Sequence, residues 1–259
     1  MRENPFFSTR FSAIRDRIAG TLQTACPLCG GSAPWRQLCA GCTQDVRHSM
    51  RHHRWRCPQC ALALPAKVAC PDCAGRPASL DEVVAAFDYV SPTDSLILRY
   101  KNARQFHLAS CFAALALAAI QDHSPNWPLT PWPAGAPLIP IPGSRTSLRR
   151  RGFNPASEFA VQLGRRLHRP VLQTTLYREP DSLKQSTLNR QQRQANTAHL
   201  YYCARNMPES CAILVDDVLT TGSTLHAAAS ALRAAGVQRV CAVVIARTPL
   251  QERADRLPA

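Results

Sequence analysis

The sequence predicts an α/β protein whose mostly parallel sheet is covered by helices on both faces, with a small cysteine-rich module in front of it. The strongest support is a strand–helix–strand pattern near the C-terminus. Ala212–Val215 is continuously apolar, as is typical of a strand covered on both faces, and Val237–Ala246 is predicted to be a second strand. Between them, an alanine-rich segment from about Leu225 to Ala235 ends at Gly236, a common helix stop. Strands joined by a helix in this way run parallel, so we expect helices packed on a parallel sheet.

The rest of the main domain alternates in the same way. In chain order we expect a strand over Val83–Val90, a helix after Ser91-Pro92, a helix from Leu108 to Ala119, a buried strand over Leu138–Pro142 and a basic loop over Gly143–Phe153. Asn154-Pro155 then predicts a helix start, because asparagine caps a first turn and proline fits its first position. The composition changes after Arg76-Pro77, so we expect a module over residues 20–76 and a main domain over residues 80–250. A chain of 259 residues is long enough for both.

Eight of the 12 cysteines form four C-x-x-C knuckles in the N-terminal module. The knuckles are Cys26/Cys29, Cys39/Cys42, Cys57/Cys60 and Cys70/Cys73, and the last two repeat the first two at an interval of 31 residues. Two knuckles supply the four thiolates of a closed, tetrahedral zinc site, and metal binding would supply folding free energy that so short a segment lacks. The sequence therefore predicts two structural Zn²⁺ sites. The repeat favours pairing of consecutive knuckles, and a cross-braced pairing stays open.

The other cysteines and the nearby histidines have simpler interpretations. A thioredoxin-like redox role for the knuckles is disfavoured, because no strand–helix–strand pattern surrounds them. His48, His52 and His53 lie among arginines between the two repeats, and we expect them in a solvated basic linker. Four further cysteines lie in apolar surroundings and are expected in the core: Cys111, Cys203, Cys211 and Cys241.

The chain carries 31 lysines and arginines against 17 aspartates and glutamates, a formal net charge of +14. Such an excess favours polyanions such as nucleic acid, although an arginine-rich proteome alone would also produce it. Charged residues interrupt the N-terminus, so no signal peptide is predicted. The longest apolar stretch, Ala109–Ile120, falls short of the about 20 residues that a transmembrane helix needs. We therefore expect a cytoplasmic protein without a membrane span.

The most informative segment follows the apolar run that ends at Val215. Two carboxylates, Asp216 and Asp217, precede five residues that combine hydroxyls with a glycine: Thr220, Thr221, Gly222, Ser223 and Thr224. Open α/β sheets bind ligands at the carboxyl ends of their strands, where N–H groups that open a helix attract phosphate. Either an Asp-Asp turn or a Thr/Ser helix cap is common by itself, but this ordered combination is rare. The segment predicts a ribose 5-phosphate site, with the two acids on the sugar hydroxyls.

Ile213–Leu225 resembles the thirteen-residue signature for 5-phosphoribosyl 1-pyrophosphate (PRPP) of type I phosphoribosyltransferases. The wider pattern resembles the ComF/GntX family of competence-associated proteins. The shared pieces extend from Cys26 to about Arg247, and they are the C-x-x-C module, Tyr100-Lys101, Pro140-Ile141-Pro142, Arg151-Gly152-Phe153-Asn154, Gln185…Leu188…Arg193…Asn196 and Val215–Thr224. The resemblance implies a type I phosphoribosyltransferase fold with an N-terminal double zinc ribbon.

The resemblance also implies roles for individual residues. Asp216 and Asp217 would bind the ribose hydroxyls, residues 220–224 would hold the 5′-phosphate, and Mg²⁺ would accompany the pyrophosphate of PRPP. Contacts to pyrophosphate or phosphate are implied for five basic residues: Lys101, Arg149, Arg150, Arg151 and Arg193. Lys184–Arg193 would form a cover that closes over the site.

Family membership would imply a role in natural competence, in DNA uptake or utilisation. PRPP or a ribonucleotide 5′-phosphate would be the ligand, single-stranded DNA a direct contact, and DNA-uptake helicase or translocation proteins the partners. The alternative is an active phosphoribosyltransferase that transfers the phosphoribosyl group from PRPP to a nitrogenous acceptor, although the sequence shows no obvious general base. A third hypothesis is a regulatory module that senses PRPP or a nucleotide without turnover.

Overall fold

The computed structural model describes residues 22–52, 55–75, 78–122, 132–133, 135–179, 200–204, 206–207 and 209–250. Its strands are β1 Gln23–Ala25, β2 Ser32–Pro34, β3 Trp55–Arg56, β4 Ala63–Leu64, β5 Glu82–Asp88, β6 Leu138–Pro140, β7 Leu176–Arg178, β8 Tyr201–Cys203, β9 Cys211–Leu219 and β10 Arg239–Arg247. Its helices are α1 Ala40–His52, α2 Asp94–Asn102, α3 Leu108–Gln121, α4 Arg145–Arg151, α5 Pro155–Leu167 and α6 Ser223–Ala234.

Four strands form one parallel sheet in the order β5–β10–β9–β6. Val243 of β10 lies opposite both Val84 of β5 and Val215 of β9. Pro140 of β6 lies opposite Val215 on the other side. Residues 211–215 of β9 and 240–246 of β10 are buried, which explains their unbroken apolar runs. The predicted α/β class, a mostly parallel sheet with helices on both faces, is confirmed.

Helices α3 and α5 cover one face of this sheet, and α6 covers the other. Phe112 of α3 and Phe159 of α5 are fully buried in one core together with Val215. Leu232 of α6 belongs to a second core together with Leu214. Successive side chains of a strand point to opposite faces, so the neighbours Leu214 and Val215 serve different cores.

The two cysteine units pack on opposite faces of the sheet. The first unit is Cys26, Cys29, Cys39 and Cys42, and the second unit is Cys57, Cys60, Cys70 and Cys73. Leu38, between the knuckles of the first unit, and Val46, after them, share the core of α3 and α5. Leu62 and Leu64, between the knuckles of the second unit, share the core of α6. Each unit therefore buries apolar surface against the main domain, and the boundary near residue 76 stays a prediction.

Two segments that we expected to be irregular are helical. Helix α4 occupies most of the predicted loop over residues 143–153: the Ser144 hydroxyl accepts a bond from the Ser147 N–H at 3.1 Å, and Gly152 ends the helix with a φ of 80°. Helix α1 takes in the start of the predicted basic linker, because Val46 and Met50 pack against the cores. The predicted cover over residues 184–193 lies outside the described residues.

Helix α5 begins as predicted. The Asn154 side chain accepts a bond from the Ala156 N–H at 3.3 Å, and Pro155 occupies the first turn. The Asn154 Nδ2 donates to Ile141 O at 2.9 Å and to Ser157 Oγ at 3.0 Å. This side chain therefore joins the start of α5 to the end of β6.

We expect Asn154→Ala to destabilise the protein by about 1–2 kcal/mol, because a helix cap and the bond to Ile141 are lost together. Ser144→Ala is the matched control, since it removes the cap of α4, a helix without buried residues, and it should cost clearly less. Chemical denaturation followed by circular dichroism measures both losses. Equal losses would contradict the role assigned to Asn154.

Candidate functional site

The carboxyl ends of the four parallel strands lie at one edge of the sheet, and four chain segments follow them there. Helix α2 follows β5, the α4 segment follows β6, the turn of residues 220–222 follows β9, and Arg247 ends β10. Parallel pairing brings these segments side by side at the edge where open α/β sheets bind ligands.

The two predicted ribose acids lie inside β9, which continues past the predicted strand end to Leu219. Both carboxylates are half-buried and held locally. Asp216 Oδ1 accepts a bond from the Asp217 N–H at 2.8 Å, and Asp217 Oδ1 accepts one from the Val218 N–H at 2.6 Å. Lys101 Nζ lies 2.9 Å from Asp217 Oδ1. The structure therefore brings Lys101 of α2 to the acidic pair.

The two carboxylates differ in their surroundings. Burial raises the pKa of Asp216 to about 7, and the negative charge of Asp217 acts in the same direction. A hydrogen bond from the Asp217 N–H and the charge of Lys101 offset part of this rise in pKa. At neutral pH the pair therefore carries less than its full negative charge, with Lys101 paired to Asp217.

The turn between β9 and α6 combines hydroxyl groups with a helix start. Gly222 lies before the helix with a φ of 80°, and the His226 N–H donates to Gly222 O at 2.9 Å. A Cβ on Gly222 would lie 3.3 Å from His226 Cδ2, so this position favours glycine on both counts. Of the other predicted residues, three are exposed and the last is half-buried: Thr220, Thr221, Ser223 and Thr224. A helix start beside exposed hydroxyls is suited to an anion.

The arginines predicted to contact pyrophosphate lie in the last turn of α4. Arg149 and Arg150 are exposed, whereas Arg151 is half-buried and its Nε has no hydrogen-bond partner among the described residues. A buried N–H without an acceptor is costly, and an anion would satisfy it. The ring of Phe153 packs 5.7 Å from that of Tyr100, which ties the end of α4 to α2. Arg193 lies outside the described residues.

Sequence reasoning missed Arg247. This side chain is fully buried at the end of β10, and its Nη1 donates to the carbonyl oxygens of Leu219 at 3.2 Å and Thr220 at 2.7 Å. It therefore holds the start of the turn. The available signal was a charged residue at the end of an apolar strand, because a buried arginine needs acceptors.

Each cysteine unit is compact enough to hold one metal ion. The Sγ–Sγ distances are 3.7 Å for Cys29–Cys39, 3.7 Å for Cys57–Cys73 and 3.6 Å for Cys60–Cys70. With zinc–sulfur bonds of about 2.3 Å, a tetrahedral shell places sulfur atoms about 3.8 Å apart, so both units fit zinc. The structure pairs consecutive knuckles in both units, as the repeat favoured.

The sequence repeat is reproduced in the backbone. The Cys26 N–H donates to Gly31 O at 2.6 Å, and the Cys57 N–H donates to Leu62 O at 2.9 Å, two bonds separated by the repeat interval of 31 residues. The hairpins β1–β2 and β3–β4 pair antiparallel at the same interval. The two units are therefore copies in structure as well as in sequence.

The fold and this edge together define a class of protein. A parallel sheet covered on both faces, with two acids inside β9 and a hydroxyl-rich turn that leads from β9 into a helix, fits a type I phosphoribosyltransferase-like domain. In agreement, the family model described as Phosphoribosyl transferase domain matches residues 147–258. No solved structure gave a match.

Relatives of the chain narrow this class. Competence protein F of Haemophilus influenzae is 30% identical over 207 residues, which cover 78% of this chain and 87% of that protein. DNA utilization protein YhgH of Escherichia coli (strain K12) is 27% identical over 212 residues, or 82% of this chain and 90% of that protein. Competence protein ComFC of Bacillus subtilis is 25% identical over 206 residues, or 77% and 79%. The chain belongs to the ComF family of competence-related, phosphoribosyltransferase-like proteins.

Within the described part of the chain, no helix combines the length and apolarity that crossing a membrane requires.

We expect the native protein to contain two zinc ions per chain, because each unit closes its own four-thiolate shell. Cys73→Ser should leave the ion of the first unit, and Cys42→Ser, at the matching position of the other copy, should leave the ion of the second. Elemental analysis after purification without chelators measures the content. A wild-type content near zero would contradict the assignment.

Asp216 also predicts a pH dependence of stability. Its pKa is raised from 3.8 to about 7 in the folded state, so the folded protein binds the proton more tightly than the unfolded chain does between these values. Ionisation of Asp216 therefore reduces stability as the pH rises through this window. Asp216→Asn keeps an oxygen acceptor for the Asp217 N–H, and it should be more stable than wild type at pH 8 by on the order of 2 kcal/mol.

The stability gain of Asp216→Asn should vanish near pH 4, where the wild-type carboxyl is protonated in the folded state. Thermal unfolding of both proteins at the two pH values is the measurement. A gain that is the same at both would show that ionisation of Asp216 does not cause it.

Proposed function

We propose that this ComF-family protein binds PRPP or a ribonucleotide 5′-phosphate at the β9–α6 turn and acts in natural competence, in DNA uptake or utilisation, with direct contact to single-stranded DNA. The observation that supports the ligand is the acidic pair, Asp216 and Asp217, shortly before a turn of exposed hydroxyls at the start of α6. The names Competence protein F and DNA utilization protein YhgH support the cellular role.

The turn would bind the phosphate of the ligand, and the two acids would bind its ribose. The 5′-phosphate would accept bonds from N–H groups at the start of α6 and from the hydroxyls of Thr221 and Ser223, whose oxygens lie 3.1 Å apart. The ribose hydroxyls would donate to the carboxylates of Asp216 and Asp217. Hydrogen bonds to charged groups are the stronger ones, so the acids would fix the orientation of the sugar.

The pyrophosphate of PRPP would face the cations of this edge. Lys101 lies beside Asp217, and Arg151 has a buried Nε that an anion can satisfy. Arg149, Arg150 and the sequence-predicted Arg193 belong to the same proposal. Mg²⁺ would enter the site with the ligand, as PRPP·Mg²⁺, and would neutralise part of the negative charge of its pyrophosphate.

A basic and aromatic surface next to this edge supports the contact with DNA. Phe106 is 47% exposed, and its ring packs edge-on against Phe153 at 4.7 Å. The guanidinium of Arg104 lies 3.7 Å from the place of a Cβ on Gly152, directly after the α4 arginines. Single-stranded DNA is bound by such surfaces, with bases stacked on aromatic rings and phosphates held by arginines. The net charge of +14 attracts a polyanion as well.

The alternative function is catalytic transfer, in which a nitrogenous acceptor displaces pyrophosphate from ribose C1. The same residues would bind PRPP, and the protein would position the reactants and neutralise the leaving pyrophosphate. Pyrophosphate release that depends on one acceptor separates this function from binding alone.

The main proposal has three further parts. Both cysteine units would hold zinc, the protein would act in the cytoplasm, and it would contact DNA-uptake helicase or translocation proteins.

Calorimetric titration with PRPP·Mg²⁺ tests the ligand. The wild type should bind saturably, and the double variant Asp216→Asn/Asp217→Asn should bind at least about ten-fold more weakly, because hydrogen bonds to charged acceptors are lost. Asp122→Asn is the matched control, since it removes a carboxylate that is paired with Arg47 instead. Absence of binding to both PRPP·Mg²⁺ and ribose 5-phosphate by the wild type would overturn the proposal.

The same preparations test the contact with DNA by fluorescence titration of a labelled oligothymidylate. The affinity should fall steeply with salt and fall further in Phe106→Ala/Arg149→Ala, because stacking and a phosphate contact are removed. The Asp216→Asn/Asp217→Asn protein should keep its affinity for DNA. Saturable PRPP binding with neither affinity for DNA nor acceptor-dependent pyrophosphate release would leave only the sensing hypothesis.

A further inference from the structure

We propose that Arg247 couples the ribose-phosphate turn to the second cysteine unit, so that the affinity of the turn for its ligand depends on the metal in that unit. The inference rests on the proposed function, because it concerns the affinity of the same turn. Arg247 acts here as a positioning residue, which holds the backbone of the turn from behind.

One guanidinium contacts both parts of the molecule. Arg247 Nε donates to Cys60 O at 2.6 Å, and Nη2 donates to Asp72 Oδ2 at 2.6 Å and towards Cys60 Sγ at 3.7 Å. Nη1 donates to Leu219 O at 3.2 Å and to Thr220 O at 2.7 Å. Cys60 is one of the four thiols of the second unit, Asp72 lies inside a knuckle of that unit, and Leu219 and Thr220 open the turn. The side chain therefore bridges the metal shell and the turn directly.

The bridge is buried, which makes it rigid. The Arg247 side chain is 1% exposed and that of Asp72 is 15% exposed. A guanidinium presents five N–H donors in a planar fork, so its acceptors fix both its place and its orientation. If Cys60 and Asp72 moved, the guanidinium would lose acceptors in a dry environment or would follow them and release the carbonyls of the turn.

Zinc would fix the position of this bridge. The four sulfur atoms of the second unit lie within 4.8 Å of one another, close enough for thiolates to repel when no cation lies between them. Loss of the ion would therefore displace the knuckles that hold Arg247. Coupling of this kind is reciprocal: if the metal raises the affinity for the ligand, the ligand raises the affinity for the metal by the same factor.

The first unit provides an internal control, because its equivalent positions differ. The repeat interval of 31 residues places Gly41 opposite Asp72 and the exposed Cys29 opposite the buried Cys60. The first unit also packs on the other face of the sheet, in the core of α3 and α5. We therefore expect the second unit to be coupled to the turn and the first to be independent of it.

Zinc competition with a chromogenic chelator, with and without saturating ribose 5-phosphate, tests the coupling. In Cys42→Ser, which keeps the second unit intact, ribose 5-phosphate should raise the zinc affinity about five-fold or more. In Cys73→Ser, which keeps the first unit intact, it should leave the zinc affinity unchanged. Equal protection of both ions, or protection of neither, would overturn the coupling.

Arg247→Lys tests the bridge itself, because it keeps the charge and loses the fork. This variant should retain both zinc ions and bind ribose 5-phosphate at least about five-fold more weakly than wild type, with no response of that affinity to the chelator. Arg56→Lys is the control: this arginine ends β3 in the second unit's hairpin and binds Asp88 at 2.9 and 2.7 Å, and its substitution should leave the ligand affinity unchanged.

If Arg247→Lys does not fold, Asp72→Asn takes its place, since it weakens the knuckle side and keeps the bonds from Arg247 to the turn. It should give a smaller loss of affinity in the same direction. A wild type that binds neither PRPP·Mg²⁺ nor ribose 5-phosphate refutes the proposed function. If ribose 5-phosphate binds tightly, and neither Arg247→Lys nor removal of zinc from the second unit changes its affinity, the coupling is refuted and the proposed function stands.

Discussion

The parallel direction of β9 relative to both of its neighbours is the constraint on which the rest of the molecule depends. Because β5, β6, β9 and β10 point the same way, whatever follows each of them arrives at one edge of the sheet. Lys101 reaches Asp217 in this way from a helix far earlier in the chain. At the opposite edge, where β5 and β10 begin, Glu82 and Arg239 form an ion pair that takes no part in the site. A reversed strand would carry its loop to that edge and dismantle the site.

The duplicated cysteine units show how one motif can serve two purposes. Each is too short to bury a core alone, and each completes a different core of the sheet, the first with Val46 and the second with Leu62. The copies share their backbone bonds and differ at single positions such as Gly41 and Asp72. A cysteine unit on each face explains why a sheet with few helices can be covered on both sides. The divergence at Asp72 gives the second copy its contact with Arg247.

The sequence encodes some of these features in short contiguous patterns, and those could be predicted. The β9–α6–β10 unit, the zinc-type knuckles and the cap at Asn154 are of this kind, because each depends on residues that are neighbours in the chain. The helix α4 was missed because residues 145–151 have no buried face, although Ser144 and Gly152 mark its ends. The role of Arg247 depends on contacts with residues far away in the chain, so no local pattern contains it. The same holds for the packing of the two units on opposite faces.

The charges of the candidate site favour a ligand that combines hydroxyl groups with phosphate. Asp216 and Asp217 would repel a simple anion, yet their carboxylates accept hydrogen bonds from a sugar. The helix start at Gly222 and the arginines of α4 would attract phosphate, whereas a neutral sugar would leave them unused. A ribose phosphate meets both demands, since its hydroxyls face the acids while its phosphate faces the turn. Free phosphate and free ribose each meet only one of these two demands. The pairing of Lys101 with Asp217 neutralises part of the negative charge of the acids, so anions are not repelled from the site altogether.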